Sequence, residues 1–350
     1  MSELWQNTRF YHYGRKYVDF MVRLSFSVVD VRGFENVPKD SAVILASNHT
    51  NTLMDPLVQL LVNKGPVSFG ARADVFRKPA VARILHELKI VPLARQRDGA
   101  SAVTGNLQVF EEIAECINHN VPFVIFPEGR HRPMHSLLPV KKGVFRIAEL
   151  TFRKSGKPVY VVPVGVDYED YFHFCKGVRI QYGEPIEISS MLERYDDEQK
   201  FFHDMTEELY DRMSKLILFF PDDETYHRKY RRYLRRHNIR RPVLHKICRC
   251  FSACLTFPLF AVAAVMGWMG LVPAAILVRR LKDKAWSNTM CFASMFAAFP
   301  LQLILNTVLA FCFLPAGAAV AIMLATVFAV PGFYRLLNFY REVFSAGTSA

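Results

Sequence analysis

The chain has 350 residues, enough for one α/β domain of ordinary size and an appended membrane region. Its 44 Lys and Arg against 32 Asp and Glu give a net charge of +12, which favours an acidic partner such as anionic lipid, nucleic acid or a phosphorylated substrate. The seven cysteines lack the paired spacing of a disulfide framework or a zinc site, which argues against both classes and favours a reducing environment.

The first predicted element is an N-terminal helix within residues 1–26, where aromatic side chains such as Trp5 and Tyr13 alternate with basic ones such as Arg15. This mixture suits a helix that lies in a bilayer interface. A first helix that packs on the following domain fits the pattern equally well. No apolar run follows the basic start in the manner of a signal peptide, so we expect the catalytic part to remain on the cytoplasmic side.

Residues 27–225 alternate short apolar runs with helical patterns, which predicts an α/β domain with a largely buried sheet. An amphipathic helix is predicted around residues 103–117, and a polar helix at about 196–220 closes the domain. The predicted strands are Ser27–Val31, Ala42–Ser47, Val67–Gly70, Val121–Phe126, Val159–Val166 and Val178–Tyr182.

The remaining residues predict a basic juxtamembrane segment, 226–249, and membrane hairpins, 250–341. The uncharged run 250–278 has glycines near its middle, which leaves arms too short to cross the bilayer and predicts a re-entrant hairpin, with one tilted span as the alternative. The uncharged run 285–334 is long enough for two spans that meet near Leu314 to Gly317. Because all three neighbouring charged segments are basic, we expect them on the cytoplasmic side.

A His and an Asp follow the predicted strand 42–47. His49 can take and return a proton near neutral pH, and Asp55 can hold its other ring nitrogen. No serine nucleophile is required, because the hydroxyl of a substrate can attack. The pair by itself is also typical of a hydrogen-bonded loop histidine.

Two further polar blocks follow predicted apolar segments. Arg95 and Arg97 can present both guanidinium groups to a phosphate from one extended stretch, although an exposed salt-bridged loop has the same pattern. Glu128 lies at a strand end where it can contact acceptor hydroxyls, and Gly129 lets backbone amides approach an anionic group. Lys141 adds positive charge close to that turn.

In this order the blocks resemble the glycerolipid (phospholipid/glycerol) acyltransferase family, over about residues 27–188. The specific part is the Phe-Pro-Glu-Gly run 126–129 with Asn48 and His49 upstream; the Val-Pro strand 161–165 completes the set. The resemblance implies an acyltransferase-type mixed sheet flanked by helices, with a C-terminal α-helical membrane region. It implies His49 as the general base, Asp55 as its orienting partner, Arg95 and Arg97 as phosphate contacts, and Glu128 and Gly129 as acceptor contacts.

One departure from the family pattern is the spacing, since five residues rather than four separate His49 from Asp55. A longer turn must therefore rejoin the pair. Together with the block 71–74 and the apolar hairpins, this spacing resembles a membrane-bound branch that acylates glycerol 3-phosphate. Arg130 replaces the small hydroxyl residue often found after the Pro-Glu-Gly, and its role stays open.

The function implied is transfer of a fatty acyl group from acyl-CoA or acyl carrier protein to glycerol 3-phosphate in phospholipid synthesis. The alternative acceptor is the 1-acyl derivative, and a more remote alternative is a non-enzymatic basic protein that binds membrane or nucleic acid. We expect no cofactor beyond the acyl donor and no metal, because Pro133 disfavours a helix that would pair His131 with His135. The expected partners are the acyl thioester, the glycerol phosphate acceptor and anionic membrane lipids, with no nucleic acid.

Overall fold

A computed structural model describes residues 3–94, 106–237 and 243–344, apart from the side chains of residues 106, 235–237 and 243–247. The described residues form two compact units. The first comprises those within Met1–Phe20, Val29–Asp167 and Val178–Asp223, and the second those within Met21–Val28, Tyr168–Gly177 and Glu224–Ala350.

The strands are β1 Val29–Arg32, β2 Ala42–Ser47, β3 Ser68–Arg72, β4 Ile90–Leu93, β5 Phe123–Ile125, β6 Val159–Tyr168, β7 Val178–Tyr182 and β8 Ile186–Glu187. The helices that accompany them along the chain are α1 Arg9–Leu24, α2 Met54–Val62, α3 Pro79–Glu87, α4 Asn106–Asn118, α5 Gly143–Ser155, α6 Ile188–Leu192 and α7 Glu198–Ser214. Five further α-helices follow in the described part of the chain: α8 Tyr226–His237, α9 Val243–Met266, α10 Trp268–Arg280, α11 Ser287–Phe313 and α12 Ala316–Phe344.

Within the described residues the eight strands form one mixed sheet, in the order β1-β7-β6-β2-β5-β3-β4 with β8 added to β6. Strands β2 to β6 run parallel to one another, and β1 runs parallel to β7. β7 runs antiparallel to β6, as the hydrogen bonds from Gly183 N to Pro163 O and from Glu169 N to Gly177 O show, and β8 pairs antiparallel with β6 through Tyr160 and Glu187. Because β5 lies on one side of β2 and β6 on the other, the carboxyl end of β2 is at a reversal of the strand order. In open α/β sheets such a point is where ligands bind.

The central strand β2 is buried on both faces. Ala42, Ile44 and Ala46 pack into a core with apolar residues of α4, α5 and α7. Val43 and Leu45, which alternate with them, point to the opposite face and are also buried. A strand buried on both faces reads as a continuous apolar run, which is why the sequence predicted β2 with its correct bounds.

The predicted fold class is confirmed: a mixed sheet is flanked by helices, and long apolar helices follow it. Six strands lie where the sequence predicted them, to within two or three residues. Two were not predicted as strands, β4 and the two-residue β8. The proposed division of the chain at residues 26, 225 and 249 stays a prediction.

Three of the described helices are long and apolar enough to cross a membrane: Cys248–Met266, Lys284–Phe313 and Ala316–Phe344. The break between the last two falls at Leu314 and Pro315, inside the predicted turn. The first apolar arm is longer than expected, 19 residues instead of about 15, because its helix begins before the uncharged run and continues to Met266.

The break after α9 is stabilised by polar side chains of α11. Gln302 Oε1 accepts a hydrogen bond from Met269 N at 2.9 Å, and Asn306 Nδ2 donates one to Met266 O at 2.9 Å. Both backbone groups lost their helical partners when the helix was interrupted. The two side chains therefore satisfy the break at Gly267 from outside the interrupted helix.

Gly165 in β6 is a position where only a glycine fits. A Cβ there would lie 2.6 Å from Leu216 Cβ and 2.7 Å from Leu216 O. We expect Gly165→Ala to destabilise the protein by about 1–3 kcal/mol through overpacking. Thermal unfolding in detergent should show a lower Tm than wild type. Gly143→Ala is the matched control, since nothing lies within 4 Å of its Cβ position, and equal effects of the two changes would contradict the prediction.

Candidate active site

His49 is the second residue after β2, and its neighbour Asn48 fixes the point at which the chain leaves the sheet. The Asn48 carboxamide donates to Val166 O at 2.9 Å and accepts from Val166 N at 2.7 Å. These two bonds replace the ladder bonds that β2 would otherwise make with β6. The strand therefore ends at a defined residue, and the next side chain, His49, emerges at the carboxyl edge of the sheet.

The structure brings His49 and Asp55 together. His49 Nδ1 lies 2.7 Å from Asp55 Oδ2, and the same oxygen accepts 2.8 Å bonds from the backbone N–H groups of Thr50 and Asn51. Asp55 is fully buried in the first turn of α2, where a negative charge is favoured. The carboxylate orients the imidazole through Nδ1 and leaves Nε2 as the nitrogen that can take a proton.

The longer turn expected between His49 and Asp55 is present. Thr52 adopts a positive φ of 45°, which is uncommon for a β-branched residue. This local reversal takes up the additional residue and returns the chain to α2. The departure in spacing therefore leaves the His–Asp contact intact.

The His49 ring is held by neighbours on the loop that follows β5. Phe126 stacks on it, with centroids 4.4 Å apart and planes 24° apart, and His131 meets it edge-on at 5.6 Å. The His49 side chain is 19% exposed, against 0% for Asp55. The imidazole is thus fixed by packing while one part of it stays accessible.

Glu128 lies beside the same histidine but is nearly buried, at 3% exposure. Its Oε1 accepts a 2.8 Å bond from the His49 backbone N–H, and its Oε2 accepts a 2.8 Å bond from the Leu138 N–H. Burial raises the pKa of Glu128 from 4.5 to about 7, against the opposing effect of these two bonds. Its predicted contact with the acceptor stays a prediction.

Gly129 has a positive φ of 70°, a conformation that favours a residue without Cβ in the turn after β5. A Cβ at this position would lie 3.1 Å from Lys141 Nζ, which shows that the ammonium group lies over the turn. We expected positive charge close to this turn, and Lys141 supplies it.

Arg95 and Arg97 lie outside the described residues. β4 ends at Leu93, next to β3 in the sheet, so the chain enters this segment from the carboxyl edge that also carries His49. At the end of β3, Arg72 Nε donates to Asp74 Oδ1 at 3.0 Å, within the Arg-containing block 71–74.

Asn48 and Arg132 contribute to the site in ways that the sequence did not reveal. Arg132 N donates to His49 O at 2.9 Å, and its guanidinium contacts Asp222 and Ser136. An Asn at the end of a buried strand is a signal that could have indicated the first of these roles. The role of Arg132 depends on which loops meet in the fold.

Among residues 3–94, 106–237 and 243–344, no group of three or more His, Cys, Asp or Glu forms a candidate metal site.

Residues 28–167 match the family model described as Acyltransferase. This range contains the His49–Asp55 pair and the loop that holds it. These residues are an acyltransferase domain of the glycerolipid acyltransferase family. The predicted family is therefore confirmed for this part of the chain.

Relatives of the acyltransferase domain include glycerol-3-phosphate O-acyltransferase 1 of Saccharomyces cerevisiae, 32% identical over 108 residues, 31% of this chain and 14% of that protein. Human 1-acyl-sn-glycerol-3-phosphate acyltransferase alpha is 26% identical over 153 residues, 43% of this chain and 49% of that protein. The chain thus spans about half or less of the length of these relatives. The crystal structure of the 1-acyl-sn-glycerophosphate (LPA) acyltransferase PlsC from Thermotoga maritima aligns with a TM-score of 0.42 and 25% identity, over 59% of this chain and 80% of that one.

The raised pKa of Glu128 predicts a pH dependence of stability. Below about pH 4.5 the group is protonated in both the folded and unfolded states, and above about pH 7 it is ionised in both. Between these values folding takes up a proton, so its contribution to stability is present below about 4.5 and is lost as the pH rises to about 7.

We therefore expect the Tm of wild type to fall relative to that of Glu128→Gln as the pH rises from about 4.5 to 7. Above about pH 7 the Tm difference should stay constant. The comparison isolates Glu128 from the ionisable side chains of His49 and Asp55. Thermal unfolding in detergent across this pH range checks it. A Tm difference that does not change with pH would contradict the raised pKa.

Proposed function

We propose that this chain transfers a fatty acyl group from an acyl thioester to a hydroxyl of glycerol 3-phosphate. The observation that supports this most strongly is the His49 imidazole, oriented by a buried carboxylate at 2.7 Å and partly accessible at the carboxyl edge of the sheet. This is the arrangement of a general base. The acyltransferase domain supplies the reaction class.

In the proposed reaction, His49 Nε2 removes the proton from the acceptor hydroxyl as its oxygen attacks the thioester carbonyl carbon. The tetrahedral intermediate collapses, the carbon–sulfur bond breaks, and the thiolate takes the proton from the imidazolium. Asp55 stabilises the imidazolium during the step. Proton transfer and acyl transfer balance without a cofactor other than the acyl donor, acyl-CoA or acyl carrier protein.

The acceptor phosphate requires cationic partners, and we propose Arg95 and Arg97 for this role, with Gly129 at the acceptor. Guanidinium groups bind phosphate through paired, charge-assisted hydrogen bonds. The stretch that carries them follows β4 in the sequence, and the carboxyl end of β4 lies at the same edge of the sheet as the carboxyl end of β2. A phosphate bound there would bring its glycerol hydroxyl toward the base.

The second candidate acceptor is the 1-acyl derivative, which appears in the name of the human relative. The similarity to that protein extends over more residues than the similarity to the yeast glycerol-3-phosphate enzyme. Purified protein assayed with palmitoyl-CoA and each acceptor in turn decides between them. Transfer to neither acceptor would overturn the proposed function.

We further propose that the chain is anchored in a membrane with its basic segments on the cytoplasmic side. The apolar helices α9 to α12 supply the anchor, and α8 carries exposed Arg228, Arg231 and Arg232. Such clusters favour the anionic headgroups of the cytoplasmic leaflet.

His49→Ala should lower the rate of acyl transfer by about 10²- to 10⁴-fold, because it removes general-base catalysis. Initial rates with palmitoyl-CoA and the better acceptor measure this. His86→Ala is the matched control, since His86 also contacts a carboxylate, Glu112 at 2.6 Å, at a different position of the fold. Activity of His49→Ala within about tenfold of the control would argue against the base assignment.

The proposed topology makes a prediction about accessibility. In a background without native cysteines, an impermeant thiol reagent applied from the cytoplasmic side of sealed vesicles should label Arg280→Cys and leave Gly317→Cys unlabelled. Position 280 is the last residue of α10, and position 317 is the second residue of α12, next to the turn between α11 and α12. Labelling of position 280 only from the opposite side would mean that the chain crosses once between residues 250 and 278.

A further inference from the structure

We infer that Glu128 acts in the reaction as a positioning residue, because it holds the backbone N–H group of His49, and that it does not contact the acceptor. The inference rests on the proposed function, in which His49 is the base. It concerns a carboxylate that, like Asp55, contacts the His49 residue directly.

The first argument is that both carboxylate oxygens of Glu128 are already engaged. One accepts the His49 N–H and the other accepts the Leu138 N–H, each at 2.8 Å. Above its raised pKa of about 7 Glu128 is ionised, and bonds from backbone N–H groups to an ionised carboxylate are among the stronger hydrogen bonds in proteins. With 3% of the residue exposed, little of its surface can meet an acceptor hydroxyl.

The second argument is that the loop after β5 holds the backbone of His49 on both sides of its Cα atom. Glu128 accepts from its N–H group, and Arg132 N donates to its C=O group at 2.9 Å. The turn at Gly129, with φ 70°, lets the loop reverse between these two contacts. Because Phe126 of the same loop stacks on the imidazole, the loop fixes both the backbone and the ring of His49.

The third argument is energetic. If Glu128 turned toward an acceptor, the buried N–H groups of His49 and Leu138 would lose their partner. An unsatisfied buried donor costs about 1–3 kcal/mol. Asp55 sets the ring orientation through Nδ1, and Glu128 sets where the residue lies, so the base is placed by two carboxylates with separate tasks.

Glu128→Gln tests this role, because a carboxamide keeps the size of the side chain but can accept only through one oxygen. A small displacement of a catalytic group lowers the rate of the chemical step, so we expect kcat to fall by about 10- to 100-fold. The acceptor KM should stay within about threefold of wild type. Glu149→Gln is the matched control, since Glu149 pairs with Arg153 on α5 and should leave both constants unchanged.

An acceptor KM raised about tenfold or more with an unchanged kcat would overturn the inference and restore Glu128 as an acceptor contact. Hydrogen exchange of the full chain in detergent gives an independent readout. The peptide containing His49 should exchange faster in Glu128→Gln than in wild type and Glu149→Gln, and unchanged exchange would also overturn the inference. If wild type acylates neither acceptor, the proposed function fails, and exchange still decides whether Glu128 holds the His49 peptide.

Discussion

The buried carboxylate of Asp55 constrains the arrangement of the whole site. A charge removed from water must be offset by hydrogen-bond donors, and Asp55 Oδ2 receives three N–H groups from the consecutive residues His49, Thr50 and Asn51. Its position in the first turn of α2 adds a favourable interaction with the helix N-terminus. Satisfying this one oxygen therefore folds the loop and orients the imidazole in the same step, so the geometry of the base follows from the electrostatics of its partner.

The other end of α2 is held in a complementary way by α1. The Arg15 guanidinium donates to the carbonyl groups of Leu60, Asn63 and Gly65 at the C-terminus of α2. These carbonyls lack helical partners, and a positive charge is favoured beside them. α1 thus packs through one face, while Phe10 and Tyr13 are 54% and 68% exposed on another. The two sequence interpretations of this helix, packing on the domain and lying in an interface, are compatible. The interfacial role stays a prediction.

The strands could be predicted where burial on both faces makes the sequence continuously apolar, as in β2 and β6. β4 contains Pro92 and β8 has two residues, so each depends on its neighbours in the sheet rather than on its own pattern. The His49–Asp55 contact was predictable because only five residues lie between the two. The Glu128–His49 bond was not, since it joins positions 79 apart and follows from β5 lying beside β2. Sequence spacing identifies local pairs, whereas strand order decides which loops meet.

The apolar helices show the same limit. Gly267 indicated a break, and the helix does end there, but no sequence pattern connects that glycine with polar residues of another helix. Backbone groups freed inside an apolar environment must find partners, and they find them in Gln302 and Asn306. Asn306 also donates to Thr326 of α12 at 3.2 Å, so one polar cluster connects both sides of the break to two further helices. Polar residues in these otherwise uncharged segments therefore have a structural explanation: they complete the hydrogen bonds of an interruption 33 to 40 residues earlier in the chain.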